Sequence, residues 1–360
     1  MAAMTKRERV MRTARFEETD RVPLYDIIQN DAITEHYAGR PLTVENGLET
    51  VGIAVGHALD MTRMVAGPQE PGVTKRQDGL VIQGERYTSW IIERPFHDVP
   101  TLAEWVKERI REANRRVYGK EHATQVQQMV EARWADFAKG DPTGRNDPTV
   151  FVLESGVGLT EMYWAAGFEL FTYLMIEDPG LVEEWIEANN QAELRRVAAI
   201  ANPDYIPIAL TYDDIAHKTG TLFSPDWLRE LWIPRLKRLN DAWHERGALC
   251  LFHSDGNLWG VLDDLVDAGI DGLNPLEVLA GMQVKEVREA YPQLFLTGGI
   301  DVSQLLSNGT PEEVRTVCRQ AIADTNSRGY FMGSTTELHW DVRLENAQAM
   351  FETAWKSGQT

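Results

Sequence analysis

The residues best suited to chemistry gather in Leu249-Cys-Leu-Phe-His253-Ser-Asp255-Gly-Asn257, where a short apolar run stops at a histidine, a carboxylate and a carboxamide. A neutral imidazole with carboxylates is a donor set for zinc and other transition metals, and a vacant coordination position goes with catalysis. His253, Asp255 and Glu277 could supply such a set. A histidine ending an apolar run could equally be a core residue satisfied by hydrogen bonds. Here the turn Ser-Asp-Gly-Asn follows and exposes it. His339, in Thr335-Thr-Glu-Leu-His-Trp340, could be a second ligand, an acid/base or a substrate contact.

Such residues need elements that aim them at one place. Strand-like runs occur at 22–26, 62–66, 149–154, 205–212, 248–253, 270–274, 294–298 and 329–333, mostly alternating with helical stretches. Eight strands with intervening helices predict a (β/α)8 TIM barrel, an α/β fold whose strand C-termini face one mouth. An open doubly wound sheet would usually bring a glycine-rich phosphate turn, and the chain has no G-x-G-x-x-G or Walker sequence. Polar residues stand at most of the predicted strand ends: Asp26, Glu154, Asp213 and Asp214, His253 and Asp255, Asn274 and Glu277, Asp301, and Ser334 with His339. Any one of them could be a helix cap, because strand-to-helix turns favour Asp, Ser and Asn. Their collection at one end is what points to a site.

The remaining segments read as support. Thr5–Phe16 is a basic helix capped by Thr5, and residues 30–62 are helical with a break at Ala38-Gly-Arg-Pro41. Alternating runs from Leu80 to Ile92 predict a β-hairpin excursion. Residues 101–139 form a long charged helical stretch with Trp105, Val106, Ile110, Val117, Val126, Met129, Val130 and Phe137 on its apolar side. The loop 140–148 resembles a linker, but strands of one character lie on both sides of it, so residues 1–360 read as a single barrel domain. Trp164, Trp259 and Trp340 follow strand ends and could wall a pocket for a flat or apolar ligand.

Composition sets the outer limits. With 36 basic and 55 acidic residues the net charge is −19, which argues against nucleic acid and anionic membranes as partners. Two cysteines, Cys250 and Cys318, make no disulfide framework. The first residues lack an apolar core after their charges, and no apolar run approaches 18 residues, so a cytoplasmic protein is expected.

Several of these stretches resemble the uroporphyrinogen decarboxylase superfamily. The carriers are Arg21-Val-Pro, Asp214-Ile-Ala with Ser224-Pro225, His253-Ser-Asp-Gly-Asn257, Gly269-Ile-Asp-Gly-Leu-Asn-Pro275-Leu-Glu277, Gly298-Gly-Ile-Asp301, Gly309-Thr-Pro-Glu-Glu313, and Gly333-Ser with His339 and Glu345-Asn346. The resemblance covers most of the chain, most strongly about residues 204–355, and implies the same barrel. True decarboxylases of the superfamily carry Arg-Gln-Ala-Gly-Arg after the first strand. Here that place reads Tyr25-Asp26-Ile-Ile-Gln-Asn30, so an anionic tetrapyrrole would meet a carboxylate instead of arginines.

The second activity of the superfamily is corrinoid-dependent methyl transfer. Its coenzyme M methyltransferases bind zinc through His-x-Cys and a distant Cys. His253 matches the histidine, Asp255 stands in place of the first thiolate, and Ser334 or Thr335 stands near the second. The resemblance thus implies a methyltransferase acting between a small methylated substrate and a corrinoid on a separate protein. His253, Asp255 and Glu277 are then the metal set, with zinc as the metal. Asp214, His339 and Asp26 are catalytic candidates, and Glu154, Asn274, Asp301 and Trp340 contact substrate. Barrels of this kind often pair through exposed helices, so a homodimer is compatible. The alternatives are a decarboxylase or lyase of a small acid, and a non-catalytic barrel that binds a corrinoid or tetrapyrrole.

Overall fold

The computed structural model describes residues 4–358. Eight parallel strands close a ring. They are β1 (residues 24–25), β2 (Met61–Thr62), β3 (Val150–Phe151 continuing as Leu153–Gly156), β4 (Ile208–Tyr212), β5 (Leu249–His253), β6 (Gly272–Leu276), β7 (Phe295–Ile300) and β8 (Tyr330–Ser334). Six of them, β8-β7-β6-β5-β4-β3, form one continuous sheet, and β3 also pairs with β2. Single bridges, Tyr25 to Met61 and Leu24 to Met332, close the circle on either side of β1. The molecule is therefore a (β/α)8 barrel.

Strand parity divides the core in two, because successive side chains point to opposite faces. Tyr25, Met61, Val150, Val152, Ile208, Leu210, Leu251, Phe295 and Phe331 fill the lumen. Their alternates, such as Ala209, Cys250, Phe252, Leu273, Leu296 and Tyr330, face the surrounding helices. Below the lumen lies the helix Lys6–Ala14, whose Val10 and Ala14 belong to the lumen cluster. Thr5 and Glu8 make the reciprocal capping box that starts this helix. Truncating a lumen leucine such as Leu210 to alanine would cost about 2–5 kcal/mol.

The same lower end carries a buried ion network. Asp60, fully buried before β2, accepts from Arg9 at 2.7 Å, from Arg21 at 2.7 and 2.9 Å, and from the Leu24 amide at 2.8 Å. Burial pushes its carboxyl upward, but the two guanidiniums outweigh this and hold it at about 2.

Three expectations change. The excursion is a three-stranded antiparallel sheet, Gly72–Lys75, Val81–Gly84 and Ser89–Glu93, because the segment before Leu80 supplies a first strand to the hairpin. The stretch 101–139 is two helices, Val99–Arg115 and Lys120–Gly140, broken where Gly119 opens the second. Val117 falls in the break and is 87% exposed, so it leaves the apolar side assigned to it. No helix among the described residues is long and apolar enough to cross a membrane.

Candidate active site

Continuing the lumen parity upward from the apolar layers identifies which side chains meet at the mouth. Met61 leads to Arg63, Val152 to Glu154, Leu210 to Tyr212, Leu251 to His253, Gly272 to Asn274 and Phe295 to Thr297. These residues bond to one another or to their surroundings as a polar ring. Arg63 donates to Glu154 at 3.1 Å, and Tyr212 donates its hydroxyl to Glu161. His253 Nδ1 meets Asn274 Oδ1 at 2.7 Å, and Asn274 Nδ2 donates to Thr297 at 2.5 Å.

That chain fixes the histidine chemically. The Asn274 amide nitrogen is engaged by Thr297, so its oxygen accepts and His253 Nδ1 carries the proton. Burial, with Arg63 nearby, holds the imidazole well below its ordinary pKa. Nε2 therefore presents a lone pair, and it lies 3.7 Å from Asp214 Oδ1. A neutral imidazole whose other nitrogen is tied to a carboxamide is the state a metal ligand requires.

Asp255 completes the group. The nearest donor atoms of Asp214, His253 and Asp255 all lie within 4.8 Å of one another. The Asp255 amide reaches Asp214 Oδ1 at 3.4 Å, while Asp255 Oδ1 is buried and has no hydrogen-bond partner. Burial, together with Asp214 and Glu277, pushes the Asp255 carboxyl up to about 7. Burial also raises Asp214. An orphaned carboxylate oxygen beside a second carboxylate and a free imidazole lone pair suits a divalent cation. Glu277 lies at the same edge, and its Oε2 accepts the Gly256 amide at 2.7 Å.

The other expected residues take varied places. Asp26 is buried and accepts from the Ser334 amide and hydroxyl at 2.8 and 2.9 Å and from the Ile27 amide. Burial pushes its carboxyl up to about 7. Asp301 caps the turn after β7, accepting from the Gln304 and Leu305 amides at 2.7 and 2.8 Å and from Ser303. His339 accepts the Asp341 amide on Nδ1 at 3.2 Å, beside the exposed Trp340. Asp213 is a fastener: it accepts from Gly158, Thr160 and the Trp232 indole, tying the turn after β3 to β4.

Arg63 and Glu337 are mouth residues that the sequence reading passed over. Arg63 lies within Coulomb reach of Tyr25, Glu154, Asp255 and Glu337. The signal for it existed: it stands two residues beyond Met61, just past the end of β2, and keeps the lumen phase of that strand. Glu337 comes from a loop after β8 and carries no such phase. Beside β3 and β4 opens a cavity of about 380 Å³, with Glu154, Gly156, Glu161, Trp164, Arg196 and Tyr212 in its wall.

This architecture has known counterparts. The model of the family described as uroporphyrinogen decarboxylase (URO-D) matches residues 159–356. The chain is similar in structure to a methyltransferase from Methanosarcina mazei, with a TM-score of 0.68, 16% identity, and coverage of 98% of this chain and 99% of that one. At that identity the likeness speaks for the fold. A GH18 chitinase from Flavobacterium johnsoniae aligns over 93% of this chain and 94% of its own at 9% identity, and its TM-score of 0.40 carries no argument. No curated protein sequence matches the chain. The family match spans more than half of the sequence and covers the motifs that build β4 to β8, with Asp214, His253 and Asp255 among them: the chain belongs to the uroporphyrinogen decarboxylase family.

Proposed function

We propose that this protein is a metal-dependent methyltransferase that moves a methyl group between a small methylated substrate and a corrinoid carried by a partner protein. The observation that carries the reading is the His253 corner: a neutral imidazole with Nδ1 tied to Asn274 and Nε2 open toward Asp214, beside the orphaned Oδ1 of Asp255. The structural likeness to a methyltransferase supports it in kind.

His253, Asp255 and Asp214 would hold the cation, for which zinc suits the imidazole and carboxylate donors. Glu277, assigned as a ligand from sequence, steadies the turn that carries Asp255 through its bond to Gly256. A bound divalent ion supplies Lewis acidity that polarises the heteroatom from which the methyl group departs. Asn274 holds the imidazole orientation, and Arg63 with Glu154 sets the field on the facing side. Asp26, poised near neutrality beneath Ser334, and His339 are the groups assigned to proton transfer with the departing heteroatom. Glu154 lines the cavity beside β3 and β4 and is the contact proposed for the body of the substrate, with Trp340 and Asp301, after β8 and β7, as further proposed contacts. The chain is proposed to act as one cytoplasmic domain, alone or as a homodimer.

The test is incubation of the protein with reduced cobalamin and a panel of methoxy, methylamino and methylthio compounds. Methylcobalamin formation that depends on stoichiometric metal and disappears in His253→Ala is the expected result. Metal-free protein with full activity in His253→Ala would refute the reading. A second reading, a decarboxylase or lyase of a small acid, is favoured by Arg63, a cation at the mouth able to hold a carboxylate. Carbon dioxide release from a small acid, lost in Arg63→Met, would identify it. Neither product, with corrinoid retained, would leave a binding barrel.

A further inference from the structure

Strand β5 carries donor groups at both ends. His253 faces the mouth at its C-terminal end, while Cys250, of opposite parity, faces the helix layer near its start. There the sulfur meets two other metal-binding side chains. His244 ends the helix Ile233–His244, and Asp271 precedes β6. One donor atom from each of His244, Cys250 and Asp271 lies within 4.8 Å of the others. We infer that His244, Cys250 and Asp271 form a second metal site, for a thiophilic divalent cation of the zinc class, at the end of the barrel opposite the mouth.

The donor chemistry argues for this class. A thiolate, an imidazole and a carboxylate together match zinc and its cobalt and cadmium analogues, and disfavour the oxygen-seeking magnesium and calcium. Tetrahedral zinc with ligands at about 2.0–2.3 Å keeps its donors roughly 3–4 Å apart. The present spacing is compatible with that: His244 Nε2 and Asp271 Oδ2 are 2.7 Å apart, and no donor of the three lies more than 4.8 Å from another.

The surroundings agree. The side chains of His244 and Asp271 keep 34% and 32% of their exposure, which leaves an entry path and room for a water as fourth ligand. Both bonds that Asp271 accepts, from His244 and from the Cys250 amide, fall on Oδ2. Asn240, one turn before His244, receives the Cys250 thiol on its main-chain oxygen at 3.7 Å, and its buried side-chain Oδ1 has no partner. Burial, with Asp271 and Asp241 adding negative field, pushes the Cys250 thiol well above its ordinary range, so the sulfur gives up its proton only to a cation that takes its place. Ligation replaces the thiol S–H bond by a metal–sulfur bond and releases the proton to water; no oxidant or reductant is involved. An ion there would pin the end of one helix to the starts of two strands. The N-terminal end of such a barrel is where stability is built, away from the chemistry at the mouth.

Cobalt(II) added to the full-length protein tests this. The expected result is a near-ultraviolet thiolate-to-cobalt charge-transfer band that saturates within two equivalents in the wild type and at one equivalent where the mouth is disabled. It should persist in His253→Ala, which disables the mouth, and in Cys318→Ser. It should vanish in Cys250→Ser and weaken at least tenfold in affinity in His244→Ala, a half-exposed position whose circular dichroism should match the wild type. No thiolate band in the wild type, or a band that survives Cys250→Ser, overturns the inference. In that case His244 and Asp271 are an ion pair and Cys250 a buried packing residue. The readout is independent of methyl transfer, so it stands or fails apart from the proposed activity.

Discussion

His253 Nδ1 and Asn274 Oδ1 lie 2.7 Å apart across adjacent strands, and the Thr297 hydroxyl takes the Asn274 amide from the next strand along. Three neighbouring strands thus determine one proton position on one imidazole. Asn274→Ala removes the acceptor and frees the ring to turn. Metal affinity at the mouth should fall by about 10- to 100-fold, the usual effect of losing a partner that orients a ligand. Competition with a chromogenic chelator measures it. An unchanged affinity would show that Asn274 does not set the ring.

Asp255→Asn keeps the shape of the side chain and removes its charge. Because Asp255 Oδ1 lacks any hydrogen-bond partner, its loss of charge should relieve the apo protein while weakening metal. Apo-protein stability should stay equal or rise, and metal content after dialysis should drop well below one equivalent. Plasma emission analysis beside urea unfolding checks both. Loss of apo stability would mean that Asp255 serves the fold instead.

Arg63 helps keep His253 neutral, second to burial. In Arg63→Met the pH at which apo His253 gains its proton should move upward. It should stay below the ordinary histidine value because burial is unchanged. Histidine ring resonances followed against pH by NMR would report the shift. Activity should fall as well, since Glu154 loses its 3.1 Å partner.

Two carboxylates give opposite stability profiles with pH. Asp60 is held at about 2, below its unfolded value of about 3.9, so its contribution is complete above pH ~4 and is lost as pH falls from there toward 2. Asp60→Asn should cost about 3–5 kcal/mol at neutral pH by leaving Arg9 and Arg21 uncompensated. Asp26 is raised to about 7, so its contribution is complete below pH ~4 and is lost as pH rises through 7. Asp26→Asn should therefore gain on the wild type from pH ~4 to about 7 and level off above it. Urea unfolding at a series of pH values measures both, and a difference between Asp26→Asn and wild type that is flat with pH would contradict the second.

The eight strands and their order were legible in the chain, because apolar runs closed by polar turns leave a period of strand and helix that composition alone cannot hide. Ring closure followed from their number, but the way it is made did not: it rests on two bridges at β1, Tyr25 to Met61 and Leu24 to Met332. Residue type and position singled out His253, Asp255, Asp214 and Asp26, since carboxylates and an imidazole collect at strand ends that a barrel turns toward one mouth. Their grouping was another matter. Asp214 entered the His253 corner because β4 and β5 are adjacent in register, while Glu277 turned to the Gly256 amide and Asp301 to its own helix. Arg63 could have been found by counting two from Met61, but only the closed ring supplies the phase from which to count. Sequence determines which side chains can do chemistry and roughly where along each strand they fall. Only the tertiary structure decides which of them meet, because a pleat sends neighbours to opposite faces and a barrel turns one of those faces into a single mouth.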